Sequence, residues 1–197
     1  MAIGRTFQES LQKAIRGLET GRSGLDPIFN EDDEFETLKQ KISIPSPDRL
    51  WFVADGFRNG LTSEEVFEYS KIDPWFLIQI KDLIDAEVSL EDVSLKDLDY
   101  EQLYALKRKG FSDSRIGELI GSSEDQVRDL RKSLNLNPVF KRVDTCAAEF
   151  ESSTAYMYST YEEQCEANVT QNKKIMVLGG GPNRICLLYT SPSPRDA

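Results

Sequence analysis

Residues 62–84 carry the sequence TSEEVFEYSKIDPWFLIQIKDLI, which contains two helix-start signals in succession. Thr62 with Glu65 forms a capping-box pattern, and Asp73 followed by Pro74 places a cap before a proline at the first helical position. After Pro74 the apolar residues recur at helical spacing: Phe76, Leu77, Ile80, Leu83 and Ile84. The stretch therefore predicts two short helices with a sharp break between them.

Similar helix-start and helix-end signals occur on both sides of this stretch. Further helix starts are predicted at Thr6 with Glu9, Ser46-Pro47, Asp99 with Gln102, Ser112 and Ser123, and predicted helix ends at Gly21, Gly60 and Gly110. Starts and stops recur too often for a sheet between residues 30 and 137, so this region is predicted to be all-α. After Pro138 the pattern changes, and residues 139–143 and 156–158 have the alternation of extended segments.

A strand and a glycine-rich loop are predicted near the C-terminal end. Residues 175–178 (IMVL) form an apolar run that suits the first buried strand of a parallel sheet. The candidate cofactor-binding residues follow it, because glycines after a strand let backbone amides approach a phosphate: Gly179, Gly180, Gly181, Asn183 and Arg184. Arg184 stands where a dinucleotide fingerprint needs glycine, and no P-loop ending is present, so the motif is weak.

The amino-acid composition of the chain excludes several classes of function. The 197 residues carry a net charge of −10 and no histidine, which removes the commonest general base and metal ligand. Cys146, Cys165 and Cys186 form no C-x-x-C pair, so reduced thiols are expected. Without an apolar span or signal segment, we expect a cytoplasmic protein with neither membrane nor nucleic acid as partner. No catalytic or metal-binding residue is predicted.

One alternative is a small acidic helix-turn-helix interaction or regulatory protein. Residues 111–136 predict two capped helices around a Gly121 turn, with cations at Arg128, Arg131 and Lys132. Acidic residues in the same segment oppose these cations, which argues against a DNA-binding face. Trp51 and Trp75 are predicted to be core residues, and Cys146 is predicted to be buried.

Several long motifs give the chain a resemblance to a known family. In order they are GRTFQESLQKA at 4–14, DPWFLIQI at 73–80, LKRKGF at 106–111, KRVDTCAAEF at 141–150, TAYMYSTYE at 154–162 and IMVLGGGPNRI at 175–185. Together they resemble the large subunit of carbamoyl-phosphate synthase. In that family an all-helical oligomerisation domain joins two homologous ATP-grasp halves.

The resemblance implies a layout for this chain. Residues 1–24 would be the last helix of the first, carboxyphosphate-forming half, and residues 25–150 the helical oligomerisation domain. Residues 151–185 would be the connection and first strand of the second half. Residues 186–197 depart from the family and are predicted to be a non-native tail. The expected fold class is therefore mainly α, with an extended segment and one unpaired strand of a cut-off α/β domain.

The resemblance also implies a reaction and its partners. The family makes carbamoyl phosphate from bicarbonate, ammonia and two ATP for arginine and pyrimidine synthesis, with Mg or Mn and K accompanying the nucleotide. Ammonia comes from a small glutamine amidotransferase subunit. None of the family's ATP-grasp residues falls in this stretch, so the piece is not expected to be active alone. Its expected role is self-association and interdomain scaffolding through apolar helical faces.

Overall fold

The computed structural model describes residues 2–30, 34–151, 154 and 156–176. In this part of the chain, eight helices precede one pair of strands. The helices are α1 Phe7–Gly17, α2 Phe35–Ser43, α3 Arg49–Arg58, α4 Ser63–Ser70, α5 Pro74–Val88, α6 Tyr100–Arg108, α7 Asp113–Leu119 and α8 Glu124–Ser133. The strands are β1 Val139–Arg142 and β2 Met157–Thr160. The mainly α fold class is confirmed.

Most of the predicted helix starts are caps in the structure. Reciprocal capping boxes open α4 with Thr62 and Glu65, α6 with Asp99 and Gln102, and α8 with Ser123 and Gln126. Asp73 caps α5 ahead of its first-position proline, and Ser112 caps α7. Because each cap satisfies amides that the first helical turn leaves unpaired, these short polar motifs fix where the helices begin.

The predicted start at Ser46-Pro47 is wrong by two residues. Helix α3 begins at Arg49, with Asp48 in the cap position, and the Ser46 carbonyl accepts a hydrogen bond from the Arg49 amide in the turn before it. Helix α2 begins without a side-chain cap, since the Glu34 side chain makes no hydrogen bond to the first turn of the helix.

One apolar core runs through the helical body and contains buried residues from all eight helices. Its fully buried members include Leu38, Ile42, Leu77, Leu83 and Leu103. Helices α2, α3, α4 and α5 pack on one another, and α7 packs on α8. Ile15 of α1 belongs to the same core, so α1 is part of this body.

The two tryptophans have different environments. Trp51 is buried, as predicted, and its indole nitrogen donates a hydrogen bond to the Gly24 carbonyl over 3.0 Å. The prediction for Trp75 is wrong, because its side chain is 53% exposed. It lies at the first turn of α5, where the buried face of the helix is formed instead by Leu77 and Ile80. Cys146, predicted to be buried, is only half-buried.

The segments predicted to be extended pair with each other. Strands β1 and β2 form an antiparallel pair in which Val139 lies opposite Thr160 and Arg142 opposite Met157. A two-stranded pair is marginal alone and needs other packing to persist. No helix of the described residues is long and apolar enough to cross a membrane.

Candidate interdomain surfaces

The candidate cofactor-binding residues lie outside the described part of the chain, which ends at residue 176. Gly179, Gly180, Gly181, Asn183 and Arg184 therefore remain predictions, as do Val177 and Leu178 of the predicted strand. The first two residues of that strand, Ile175 and Met176, have no strand pairing and are each 84% exposed. Among the described residues no group of three His, Cys, Asp or Glu side chains could hold a metal ion.

Helices α7 and α8 occur where the helix-turn-helix prediction places them, but their three arginines are paired with carboxylates. Arg115 is buried against Glu87, and Arg131 pairs with Asp113 over 3.1 Å. Arg128 pairs with Glu124 and Asp125 of its own helix. Phosphate binding needs uncompensated positive charge on one face. The acidic residues in this segment remove that charge.

A buried ionic cluster fastens the segment after α1 to the helical body. We call it the arginine clamp, and its members are Asp55, Arg58, Glu87 and Arg115. Glu87 is 4% exposed, and its two carboxylate oxygens each accept a bond of 2.9 Å from Arg115. Arg58 reaches the same carboxylate over 2.5 Å and also donates to the Leu25 carbonyl. Burial favours a lower pKa for Arg115, yet the bonds and charge of Glu87 raise that pKa overall.

The other end of the clamp holds the backbone before α2. Asp55 pairs with Arg58 over 2.7 Å, and its second oxygen accepts hydrogen bonds from the amides of Ile28 and Phe29. Arg115 also pairs with Asp26 over 3.0 Å. The stretch at 21–33 has the glycine and proline content of a linker. Its described part has no helix or strand, but Leu25 is fully buried and the clamp holds the segment in place.

A second buried site joins α1 to the strand pair. We call it the strand joint, and its members are Glu9, Lys13 and Thr160. Glu9 and Thr160 are each 2% exposed, and the Thr160 hydroxyl donates to the Glu9 carboxylate over 3.1 Å. Lys13 pairs with the same carboxylate over 2.7 Å and donates to the Ser159 carbonyl over 2.6 Å. The joint therefore connects residues near opposite ends of the described chain.

Further contacts around the joint involve the residues before α1, those after β2 and the α6–α7 turn. Arg5 pairs with Glu162 over 2.9 Å, and the Lys107 ammonium of α6 lies 5.2 Å from the centre of the Tyr161 ring. Gly110, which ends the turn after α6, has a φ of +91°, and a Cβ there would lie 2.8 Å from the Glu9 Cα. Only glycine suits such an approach. The strand pair, α1 and the α6–α7 turn thus meet at one place.

An aromatic patch lies on the surface beside these attachments. Phe7 of α1, Trp75 and Phe76 of α5 contact one another, with ring centroids 5.0–5.3 Å apart. Trp75 is 53% exposed and Phe76 42% exposed, and Ile78 of the same helix is also exposed. Clustered exposed aromatics beside a packed helical body are typical of a protein contact surface.

Sequence reasoning did not identify the clamp, the joint or the patch. Directly bonded side chains of the clamp are up to 29 positions apart, and Glu9 and Thr160 of the joint are 151 positions apart. Glu87, Arg115 and Glu9 occur in ordinary amphipathic helices, where charged residues usually face solvent. The one available signal was Trp75 next to Phe76 at the start of α5, ahead of the residues that face the core.

Comparison with known proteins identifies the family. The family described as "Carbamoyl-phosphate synthetase large chain, oligomerisation domain" matches residues 1–135. The carbamoyl phosphate synthase large chain of Haemophilus ducreyi is 59% identical over 206 aligned positions, covering all of this chain and 19% of the relative. That of Pasteurella multocida is 57% identical with the same coverage, and that of Pseudomonas aeruginosa is 56% identical over 94% of this chain and 17% of the relative. The chain thus spans under a fifth of the length of these relatives, and it belongs to the carbamoyl-phosphate synthase large-chain family through its oligomerisation domain.

Proposed function

We propose that this chain is the helical scaffold of a carbamoyl-phosphate synthase large chain. The observation that carries the proposal is the strand joint. It holds α1, expected to end the first synthetic half, directly against the segment expected to lead into the second. The arginine clamp fixes the backbone after α1 to the helical body in the same way. The scaffold would therefore set the relative position of the two halves instead of serving as a flexible spacer.

In this proposal the chemistry belongs to the rest of the large chain. The whole protein would form carbamoyl phosphate from bicarbonate, ammonia and two ATP, with Mg or Mn and K as accompanying ions. A small glutamine amidotransferase subunit would supply the ammonia. The glycine-rich loop at 179–184 would lie at the start of the second half as a phosphate-contacting turn. The division at residues 24, 150 and 185, with a non-native tail after 185, is part of the same proposal.

The scaffold is also proposed to self-associate through the aromatic patch. Burying Trp75 and Phe76 in a second copy would remove apolar surface from water, and aromatic residues at the centre of an interface contribute most to its affinity. A twofold arrangement would place the patch of one copy on that of the other. The helix-turn-helix alternative is not favoured, since the matching family is the oligomerisation domain of a synthase and the three arginines of α7 and α8 are paired.

Sedimentation equilibrium tests self-association across protein concentrations from micromolar to millimolar. We expect a reversible dimer whose affinity falls at least about tenfold in Trp75→Ala, because a central aromatic contributes ≥2 kcal/mol to such interfaces. Tyr100→Ala is the matched control, since Tyr100 is exposed to a similar degree but stacks on Tyr104 of its own helix. Monomeric behaviour at every concentration, or equal loss in both variants, would overturn this part of the proposal.

A further inference from the structure

A small cavity lies where α1, the α6–α7 turn and β2 meet. Its volume is about 180 Å³, and its walls include Glu9, Lys13, Arg16, Lys107 and Tyr161. This volume is well below that of pockets for drug-sized ligands, about 300–1,000 Å³. A ligand of only a few heavy atoms would fit.

The charges around the cavity do not balance. Lys13, Arg16 and Lys107 supply three cations, and Glu9 is the one carboxylate in the wall. Asp113, which pairs with Lys107 over 2.7 Å, also pairs with Arg131, so it does not remove the excess. Buried and partly buried charges are normally matched by opposite ones. The described residues therefore leave a surplus of positive charge at this point.

Arg16 is the cation with spare donors. Lys13 is bonded to three oxygens, those of Ile3, Ser159 and Glu9. Arg16 donates one Nη1 bond of 2.9 Å to the Gly110 carbonyl, and among the described residues no carboxylate lies within 4.0 Å of it. A guanidinium presents five donors in a fixed fork that suits carboxylates and phosphates. Arg16 is thus held in place by one bond with the rest of its fork available.

The pKa shifts of the groups around the cavity are those expected of a site that favours an anion. Burial lowers the pKa of Arg16, and the charge of Glu9 only partly opposes this effect. Burial also lowers the pKa of Lys107, and the nearby charges of Arg131 and Arg16 lower it further, against the opposing effect of Asp113. Burial raises the pKa of Tyr161, which keeps its phenol protonated as a hydrogen-bond donor. An anion in the cavity would offset the partial desolvation that lowers the pKa of Arg16 and of Lys107.

We propose that this cavity binds a small dissolved oxyanion of the phosphate class, with Arg16 as its anchor and Lys107 and Tyr161 as further donors. The site stands apart from the proposed scaffold function and does not depend on it. Since the chain carries a net charge of −10, general electrostatic attraction would not draw anions to it, and binding must come from this local arrangement. An anion here would also bridge α1, the α6–α7 turn and β2, whose residues line the cavity.

Isothermal titration calorimetry and thermal unfolding with inorganic phosphate, at ionic strength held constant with chloride, test the site. We expect saturable binding to the unmodified chain and a rise in Tm that follows it. Arg16→Gln should weaken phosphate binding at least tenfold. Arg128→Gln is the matched control, because Arg128 is exposed and paired within α8, and it should bind phosphate as the unmodified chain does.

A second variant distinguishes loss of phosphate binding from loss of folding. Arg16→Lys keeps the positive charge and the bond to Gly110 but loses the fork, so it should fold and bind phosphate more weakly than the unmodified chain. Absence of saturable binding to the unmodified chain overturns the proposal, as does equal binding by folded Arg16→Gln. Stabilisation that depends on protein concentration and not on phosphate also overturns it, because a carboxylate of a second copy would then be the occupant.

Discussion

The helical body and the strand pair are both fastened through a buried glutamate, but the two attachments are built differently. Glu87 lies between two arginines and supplies the carboxylate that they share, so its removal takes one negative charge away from both, although Arg58 keeps Asp55 and Arg115 keeps Asp26. Glu9 is bound by one lysine and by the neutral hydroxyl of Thr160, and the lysine keeps two carbonyl partners without it. We infer from this difference that the clamp is part of the core, whereas the joint is an attachment that can open while the core stays folded.

The largest effect is expected from Glu87→Gln in the arginine clamp. The amide keeps the shape but not the charge, and removing one partner of a buried ion pair costs about 3–5 kcal/mol. Urea unfolding followed by circular dichroism measures the loss in the free energy of unfolding. Glu68→Gln is the control, since Glu68 and its partner Lys71 are exposed, and it should change stability by less than about 0.5 kcal/mol. Similar losses in both variants would mean that the clamp is open to solvent.

A smaller and more local effect is expected from Thr160→Val in the strand joint. Valine keeps the volume but removes the hydroxyl that donates to Glu9, and a bond to a charged group contributes about 1.5–3 kcal/mol. Hydrogen exchange should show faster exchange of the amides in β1 and β2 while those of α3 and α5 are unchanged. Ser159→Ala is the control, because only the main-chain carbonyl of Ser159 takes part in the joint. Uniformly faster exchange throughout the helical body would contradict the separation of the two attachments.

These two attachments also mark how far the sequence could predict the structure. Caps such as Thr62 with Glu65 act within one turn, so their motif and their consequence lie in the same few residues. Even this local reasoning placed the start of α3 at Ser46-Pro47, because it could not tell a turn before the helix from the helix itself. The partners of Glu87 and Glu9 are set by tertiary packing, and nothing within a few positions of either glutamate indicates them.

The family's motifs predicted more about the chain than its local helix and strand patterns did. The resemblance predicted the helical oligomerisation domain, and the family match confirms that domain, whereas the division of the chain around it stays a prediction. The resemblance could not show that Trp75 is exposed, because a tryptophan followed by phenylalanine, leucine and isoleucine fits a buried face as well as a contact surface. Trp75 lies where the first turn of α1 meets the first turn of α5, which brings Phe7 beside it and leaves the outer face of the patch open.

The smallest effect is expected at a helix cap, where the interaction is local and exposed. The Glu65 carboxylate accepts a 2.8 Å bond from the Thr62 amide, and this bond, followed by the Thr62 side chain, lowers the pKa of Glu65 below its ordinary value of 4.5. A carboxyl with a lower pKa in the folded state stabilises it above the unfolded pKa, and the contribution is lost as pH falls through the folded pKa. The α8 box has Gln126 in the same role and carries no such dependence.

An NMR titration between pH 7 and 2 measures this effect directly at the Glu65 carboxyl and the Thr62 amide. We expect Glu65 to titrate below 4.5, and the amide of Thr62 to shift with it while the amide of Ser123 in the α8 box does not. Glu65→Gln should abolish the pH dependence at Thr62 and leave α4 folded, because the amide oxygen can still accept the bond, as Gln126 does. Titration of Glu65 at or above 4.5 would show that the box is open in solution, and the contrast between local caps and long-range buried glutamates would then be even larger than the structure indicates.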